Sequence, residues 1–420
     1  MHLSYPPGGS VNDSIPTDEY SLKYMSVDTA MDAVMTLGHG ALMAKVDIKS
    51  AFRICPVRPE DWLYLGMHWK GHYYFDKVLP FGLRSAPYIF NCLADAVSWI
   101  LQNNYGIEHM YHCPDDFLTV GATDTQECHS NLLLIRELFG HLKIPIADDK
   151  LEGPATLIVF LGILLDTIRL EARLPPDKLA QMKTELVKWL SRESCTKHEL
   201  QSLIGLLSFA AKVVPPGRTF LHRMIHTSML ALCSEDSIPL NEQFTKDLAW
   251  WHNFINQWNG RSFFMDIKWI PSTELKLYTD SSGTIGYGAY FDKRWFQGRW
   301  SKNQKNHTIQ WKELFPIVVA AATWVHLWAQ KRIVFMCDNE AVTHAIRSGT
   351  SQSPEMMDLL RLLFYCAAKH NFSATAKHTP GKLNVIADAL SHFNMQVFCQ
   401  VAPDTDLSPS TPAPLPSINI

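Results

Sequence analysis

Two sets of acidic residues could do chemistry in this chain. The first is Asp47, closing the mostly apolar segment Leu42 to Val46, which Lys45 interrupts, together with the adjacent pair Asp115-Asp116. The second is Asp280, Glu313, Asp338 and Asp388, each beside a run that reads as a strand end or a helix. Such sets suit metal-assisted phosphoryl transfer, in which two divalent ions ~4 Å apart activate the attacking oxygen and steady the leaving group. Magnesium takes a few carboxylate oxygens together with water and substrate phosphate. A strand-end Asp facing a hairpin that carries two more acids would supply one such cradle. Four carboxylates brought to one sheet edge would supply another. Taken singly, each acid reads as a surface residue, and the Asp148-Asp149 pair of the same chain reads as solvated.

The elements that must position these residues follow from periodicity. Residues 42–48 read as a buried strand ending at Asp47. The runs 62–68 and 72–79 around Lys70-Gly71 read as a hairpin. A helix follows Pro87, with Ile89, Leu93, Ala96, Val97 and Ile100 at helical spacing, and 107–121 reads as strand–turn–strand around Asp115-Asp116. Leu179, Met182, Leu186 and Leu190 mark a helix over 176–190. Thr196 and Glu199 form a capping box ahead of another, which Pro215-Pro216-Gly217 ends. Residues 230–272, with Trp250, Trp251, Trp258 and Trp269, read as a packed connector. A second α/β unit then follows: strand 274–280, further strands to about residue 300, and helix 312–329 with Glu313 at its start and Pro316 in its first turn. Strand 332–338 and helices 339–348, 354–370 and 384–391 complete it. Residues 1–40 are turn-rich, the Pro/Ser/Thr-rich residues 402–417 predict a disordered tail, and there is no internal repeat.

Composition bounds the reading. With 420 residues, 47% hydrophobic and 19% charged, the chain has material for several packed cores. Nine cysteines are scattered without a CxxC pair, which argues for reduced thiols and against a disulfide framework or a structural zinc site. The first 15 residues lack the basic start and apolar run of a secretory leader. The longest uncharged apolar stretch, Leu314 to Ala329, contains Pro316 and His326 and falls short of the ~20 residues a membrane span needs. An intracellular, non-membrane protein is expected, with cytoplasm and nucleus equally open. The net charge of −3 says nothing of nucleic acid, but local balance does. Glu171 to Arg223 holds nine Lys or Arg against five acids, and Lys293 to Lys312 holds six basic residues and no acid. The second stretch is interleaved with Trp295, Phe296, Trp300 and Trp311. That mixture suits a surface tracking phosphates and stacking on bases, and a solvated basic face is the equal alternative. His68 and His72 stand four apart across the expected hairpin turn, which argues against a metal site, and the remaining histidines read as ordinary.

Four motifs in order carry a resemblance. AKVDIKSAF (44–52), LPFGLRSAP (79–87), DDFLTVG (115–121) and FLGILLD (160–166) resemble the reverse transcriptases of retroelements, most closely those of DIRS-type elements, over roughly residues 2–230. The resemblance implies that Asp47, Asp115 and Asp116 bind two metals. It implies that Phe52 is the gate against a ribose 2′-hydroxyl, a core aromatic being the alternative, and that Gly82 lets the backbone approach the incoming nucleotide. Lys150 matches the position that protonates the leaving pyrophosphate, a solvent-facing lysine being the alternative. Two departures stand out. Cys113-Pro114 replaces the family's Tyr-x before the two aspartates, and Pro114 is expected to re-aim the hairpin. HLSYPPGGSVND (2–13) resembles a segment that in the family follows a basic stretch of the fingers, so that stretch is expected to be missing.

YTDSSG (278–283), WKELFP (311–316), FMCDNEA (335–341) and HTPGKLNVIADALSH (378–392) resemble the ribonuclease H domain attached to such enzymes. The resemblance implies that Asp280, Glu313, Asp338 and Asp388 hold the metals and that a mobile His378 helps product or metal leave. The expected fold class is an α/β and α+β multidomain chain: a right-hand polymerase palm and thumb with truncated fingers, followed by a ribonuclease H-like α/β domain. The expected boundaries are partial fingers and palm 1–170, thumb 171–229, connector 230–272, ribonuclease H 273–393 and a disordered tail 394–420. The implied function is RNA-directed DNA synthesis with cleavage of RNA in RNA–DNA hybrids. Two Mg2+ ions per site are implied, with Mn2+ as the alternative. The implied partners are an RNA template, a DNA primer, their hybrid and deoxynucleoside triphosphates, with no membrane and an open oligomeric state. Two rival readings stand beside this one: a ribonuclease H with a vestigial polymerase scaffold, and a non-catalytic nucleic-acid-binding remnant. No protease, integrase or recombinase motif accompanies these segments.

Overall fold

The structure, a computed structural model, describes residues 2–230, 233, 236–258, 261–381 and 384–415. The chain divides between Ala172 and Arg173 into two compact units of mixed α/β structure, in keeping with the multidomain α/β and α+β class expected.

In the first unit, helix α1 (Val27–Leu37) precedes strand β1 (Leu42–Asp47), so residues 1–40 hold more regular structure than their turn-forming residues imply. The expected hairpin is shorter than its apolar runs. Pro59–Leu65 winds as a 3-10 turn, and only β2 (Gly66–Trp69) and β3 (His72–Phe75) pair. Lys70 and Gly71 join them with φ of 48° and 78°, the double left-handed conformation of a two-residue hairpin turn matched to strand twist. Helix α2 (Ala86–Asn103) buries Phe90, Ala94, Val97 and Leu101. That stripe is rotated one residue from the expected face, because the bulky Phe90 takes the core and leaves Ile89 exposed. Strands β4 (Met110–Cys113) and β5 (Asp116–Gly121) form a hairpin, followed by helix α3 (Glu127–Leu142). Cys128, Leu132, Ile135 and Phe139 of α3 face a core shared with α2 and β5. Strand β6 (Glu152–Ala155) completes an antiparallel sheet of order β4-β5-β1-β6. Strands β7 (Leu157–Phe160) and β8 (Ile163–Asp166) pair as a further hairpin, and a short strand β9 (Glu171–Arg173) spans the boundary.

The second unit opens with α4 (Pro176–Leu190). Strand β10 (Ser194–Thr196) leads into α5 (Lys197–Ala210), whose capping box from Thr196 and Glu199 is formed as expected. Helix α6 (His222–Leu230), strand β11 (Ser237–Pro239), helix α7 (Glu242–Gln257) and strand β12 (Arg261–Phe263) follow. The expected connector thus contains a full helix, and Trp250 of α7 lies stacked between Phe220 and Phe254 at 3.7 and 5.0 Å. Strand β13 (Trp269–Pro271) lies within the expected connector, and β14 (Leu277–Ser281) starts three residues later than the strand expected at 274–280. β14, β15 (Gly286–Phe291) and β16 (Arg294–Arg299) form an antiparallel sheet.

Helix α8 (Ile309–Trp324) starts three residues earlier than expected, because Thr308 caps it by accepting from the Trp311 N–H. Glu313 therefore sits in its second turn and Pro316 in its interior. The proline deprives the Lys312 carbonyl of its helical donor. Strand β17 (Arg332–Cys337) lies parallel between β13 and β18 (Ser373–His378). Helices α9 (Glu340–Ser348) and α10 (Pro354–Lys369) make the crossover between β17 and β18.

Helices α11 (Val385–Ser391) and α12 (Met395–Val401) end the regular structure. The segment expected as a disordered tail is thus helical at its start. Beyond α12 it follows the edge of the β14–β16 sheet. The Asp406 N–H donates to the Lys293 carbonyl, Trp295 Nε1 to the Asp406 carbonyl, and the Ser410 N–H to the Trp295 carbonyl, at 2.7 to 2.9 Å. Residues 416–420 of that expected tail lie outside the described residues. No described helix is long and apolar enough to cross a membrane.

Candidate active sites

In the first unit, β1 delivers Asp47 and the β4–β5 hairpin delivers the acid pair. Asp47 and Asp116 are register partners, and the Ile48 N–H donates to the Asp115 carbonyl at 3.0 Å. Cys113 pairs with Asp116, so Pro114 and Asp115 are the two turn residues, neither with a positive φ. Proline suits the first central position of such a turn, where no backbone donor is required. The expected re-aiming therefore does not occur: the ladder stays in register through Asp116, and the three acids share one sheet end.

Burial sets their charge. Asp47 is 5% exposed, and Lys150 Nζ reaches its two carboxylate oxygens at 3.2 and 3.1 Å. Lys150 thus resolves as an ion-paired lysine with a solvent-facing stem, and the same contact raises its own pKa. Burial pushes the Asp116 carboxyl up to about 6, aided by its hydrogen bond with Asp47. Burial likewise raises Asp115. Asp148 and Asp149 are solvent-exposed, as expected.

Phe52 is half-buried, 5.5 Å from the exposed Phe81 ring and 5.6 Å from the buried Phe90 ring, so it bridges core and surface. Gly82 has φ +87°, and a Cβ there would meet nothing within 4 Å. The backbone conformation, rather than crowding inside the chain, requires glycine. The sequence reading missed what holds this loop. Asn12, 4% exposed, donates to the Gly82 carbonyl and accepts from the Arg84 N–H, both at 2.8 Å.

In the second unit, the four expected acids converge. Asp280 lies on β14, Glu313 on α8, Asp338 just past β17 and Asp388 on α11. Burial raises Asp280 to about 6, and the charges of Asp388 and Asp338 add to the shift. Burial also pushes Glu313 up to about 8, with Asp280 and Asp338 raising it further. Carboxylates separated widely in sequence therefore repel one another across one site. Clustered carboxylates of this kind can hold a cation, and such clusters are where pKa values depart most from ordinary ones. Oxygen-only donors of this kind suit a hard divalent cation.

Several supports were not read from the sequence. Ser391, fully buried, donates to Asp280 Oδ2 at 2.6 Å. Asn384 Nδ2 donates to the Thr279 carbonyl at 2.8 Å, tying the start of α11 to β14. His392, read as ordinary, joins Asp280 and Asp388, with one ligand atom from each lying within 4.8 Å of the others. The spacing of Asp388 and His392, four apart about a short helix, was the available signal. His378 ends β18 exposed, its Nε2 3.2 Å from the Asp338 carbonyl oxygen. The aromatic residues of the basic stretch are not a stacking surface. Trp295, Phe296, Trp300 and Trp311 are all buried, at most 8% exposed, because Phe296, Trp300 and Trp311 fill the core between the β14–β16 sheet and α8, while Trp295 packs with Leu390 of α11 and Phe398 of α12. Lys312 is buried too, donating to the Gly283 and Lys305 carbonyls.

No protein-family model matches the chain. Among curated proteins it is similar to viral and transposon polyproteins. An enzymatic polyprotein of Cassava vein mosaic virus is 24% identical over 383 residues, 86% of this chain and 54% of the relative. The enzymatic polyprotein of Carnation etched ring virus is 22% identical over 339 residues, covering 76% and 46%. The transposon Tf2-3 polyprotein of Schizosaccharomyces pombe is 21% identical over 367 residues, covering 83% and 25%. The chain spans about half the length of these viral relatives and a quarter of the transposon one. Among solved structures, the dRH form of the foamy viral protease-reverse transcriptase in complex with double-stranded DNA aligns with a TM-score of 0.48 and 16% identity, over 88% of this chain and 61% of the other. The foamy viral protease-reverse transcriptase in complex with an RNA/DNA hybrid aligns at 0.47 and 15%, over 88% and 47%.

Proposed function

We propose that the chain is the polymerase–nuclease portion of a DIRS-type retroelement protein. In this reading the first unit copies RNA into DNA and the ribonuclease H region of the second cleaves RNA in the resulting hybrid. The observation that carries it is the convergence of Asp280, Glu313, Asp338 and Asp388, four acids named from sequence, into one mutually repelling cradle. The similarity to viral and transposon polyproteins supports the general type.

The donor set fits Mg2+, with Mn2+ as the alternative, and bound ions would activate the attacking oxygen and neutralise the leaving one. In the nuclease cradle Asp280, Glu313, Asp338 and Asp388 would hold those ions, with Ser391 fixing the rotamer of Asp280. His378, exposed at a strand end with Nε2 against the Asp338 carbonyl, would meet the product. In the polymerase cradle Asp47, Asp115 and Asp116 would be the ligands. Lys150 would release Asp47 on loading and carry a proton to the departing pyrophosphate. Phe52 would lie under the sugar and Gly82 beside the nucleotide. The RNA template, DNA primer and deoxynucleoside triphosphates would be gripped mainly through their phosphates, and the hybrid through its backbone and 2′-hydroxyls.

A nuclease with the first unit as a hybrid-binding scaffold is the second reading. One observation favours it: among the described residues, only the second unit draws three potential ligand atoms within 4.8 Å. A strand-selectivity assay tests the nuclease claim common to both. With Mg2+, the RNA strand of a hybrid is cut while matched RNA and DNA duplexes survive, and Asp280→Asn abolishes the cut. Equal cutting of all three, or cutting that persists in Asp280→Asn, contradicts the assignment.

A further inference from the structure

Asp388 and His392 stand one helical turn apart at the end of α11, so both project to the same side. With Asp280 they form the one group of three or more acid, thiol or imidazole residues whose ligand atoms lie within 4.8 Å of one another among the described residues. The imidazole is held over the cradle. Its Nδ1 lies 3.4 Å from Asp388 Oδ1, 3.0 Å from the Asp388 carbonyl oxygen and 3.1 Å from Ser391 Oγ. Ser391 in turn fixes Asp280. One nitrogen donor therefore sits in register with two carboxylates, in a position that nothing in the proposed reaction assigns.

We infer that His392 is a third ligand at the Asp280/Asp388 position and gives it a preference for a first-row transition cation over Mg2+. The inference rests on the reading of Asp280 and Asp388 as metal ligands. Magnesium is a hard ion that takes oxygen donors and keeps several waters. Imidazole is a softer donor that adds affinity for transition ions and little for magnesium. The remaining acids, Glu313 and Asp338, offer only oxygen and leave the second position of the same cradle to Mg2+. The two positions of one site thereby differ in the ion they select.

Calorimetric titration of the full chain with Co2+ and, separately, with Mg2+ tests this in the wild type, His392→Gln and Asp280→Asn. The expected result is that His392→Gln weakens the tightest Co2+ event by about tenfold or more, the order lost when a metal site is disturbed, and changes Mg2+ binding by less than about twofold. Asp280→Asn should weaken both. Unchanged Co2+ binding in His392→Gln, or equal loss of both cations, overturns the inference while leaving the metal cradle in place. Wild-type protein that binds neither cation, or Asp280→Asn that binds both normally, overturns the metal reading itself and this inference with it. His392 is exposed, so thermal melting without cation should match the wild type in His392→Gln.

Discussion

Gly288 on β15 packs directly against Leu390 on α11: a Cβ at Gly288 would lie 2.4 Å from the Leu390 Cβ. Gly288 is also the register partner of Asp280. The glycine lets α11 close on the sheet at the level of the acidic cluster and sets how near Asp388 comes to Asp280. Gly288→Ala is expected to push α11 away, destabilise the chain by about 1–3 kcal/mol through overpacking and cut hybrid cleavage at least tenfold. Primer extension should be little changed. Denaturant melts and the two assays check this, and unaltered cleavage would show that α11 does not position Asp388.

Ser391 holds the buried Asp280 through one short hydrogen bond, which also restrains the upward shift of its carboxyl. Ser391→Ala removes that restraint. The acidic limb of the nuclease pH–rate profile should move to higher pH, with a stability loss of about 1–2 kcal/mol. A profile superimposable on the wild type would mean that Ser391 does not tune Asp280.

The raised acids make stability depend on pH with a definite sign. Asp280 titrates near 6 and Glu313 near 8 in the folded chain, above the ordinary carboxylate range of the unfolded one. The folded state therefore binds more protons between about pH 4 and pH 8. Its stability is greatest below the unfolded pKa and is lost as pH rises through the folded values. Each pKa unit corresponds to about 1.4 kcal/mol, so several kcal/mol are at stake before relaxation. Metal-free protein should melt lower at pH 8 than at pH 5. Glu313→Gln should flatten that slope, and Mg2+ should restore stability at pH 8 far more than at pH 5. A melting temperature that rises from pH 5 to pH 8 without cation would contradict this account.

Asp47 is neutralised by Lys150 at 3.1 Å. Lys150→Met is expected to slow primer extension about 100-fold, the order of a lost general acid, and to leave hybrid cleavage intact. Extension at the wild-type rate would return Lys150 to a merely structural ion pair.

Away from both sites, Arg361 of α10, fully buried, donates through Nε to Asp247 of α7, 1% exposed, at 2.9 Å. Asp247→Ala leaves a buried guanidinium without that partner and should cost about 3–5 kcal/mol. A thermal or urea melt measures it, and a loss under about 1 kcal/mol would mean that Asp358 and Gln243, which accept from Arg361 Nη1 and Nη2 at 2.8 and 3.3 Å, suffice to hold it.

The acids were legible because each ends or abuts a short apolar run whose periodicity survives in sequence. Asp47 closes β1, Asp338 follows β17, and Asp280 lies on β14. What surrounds them was not legible, because it depends on contacts distant in the chain. Asn12 meets Gly82, and Ser391 meets Asp280, only once the units have folded. Local cues also misled where burial decided the outcome. Trp295 and Trp300 stand among basic residues as a stacking surface would, yet Trp300 packs under α8 and Trp295 against α11 and α12. Phe90 rather than Ile89 took the core face of α2 because its larger apolar surface gains more from burial. The Thr308 cap started α8 three residues before the expected position and shifted Pro316 into the helix interior.

The most direct measurement uses one substrate, a labelled RNA template with a DNA primer, deoxynucleotides and Mg2+, offered to the wild type, Asp116→Asn and Asp338→Asn. The account predicts that wild-type protein extends the primer and cuts the template. Asp116→Asn should cut without extending, and Asp338→Asn should extend without cutting. Folded, hybrid-binding wild-type protein that does neither would contradict the assignment of the two acid cradles as active sites.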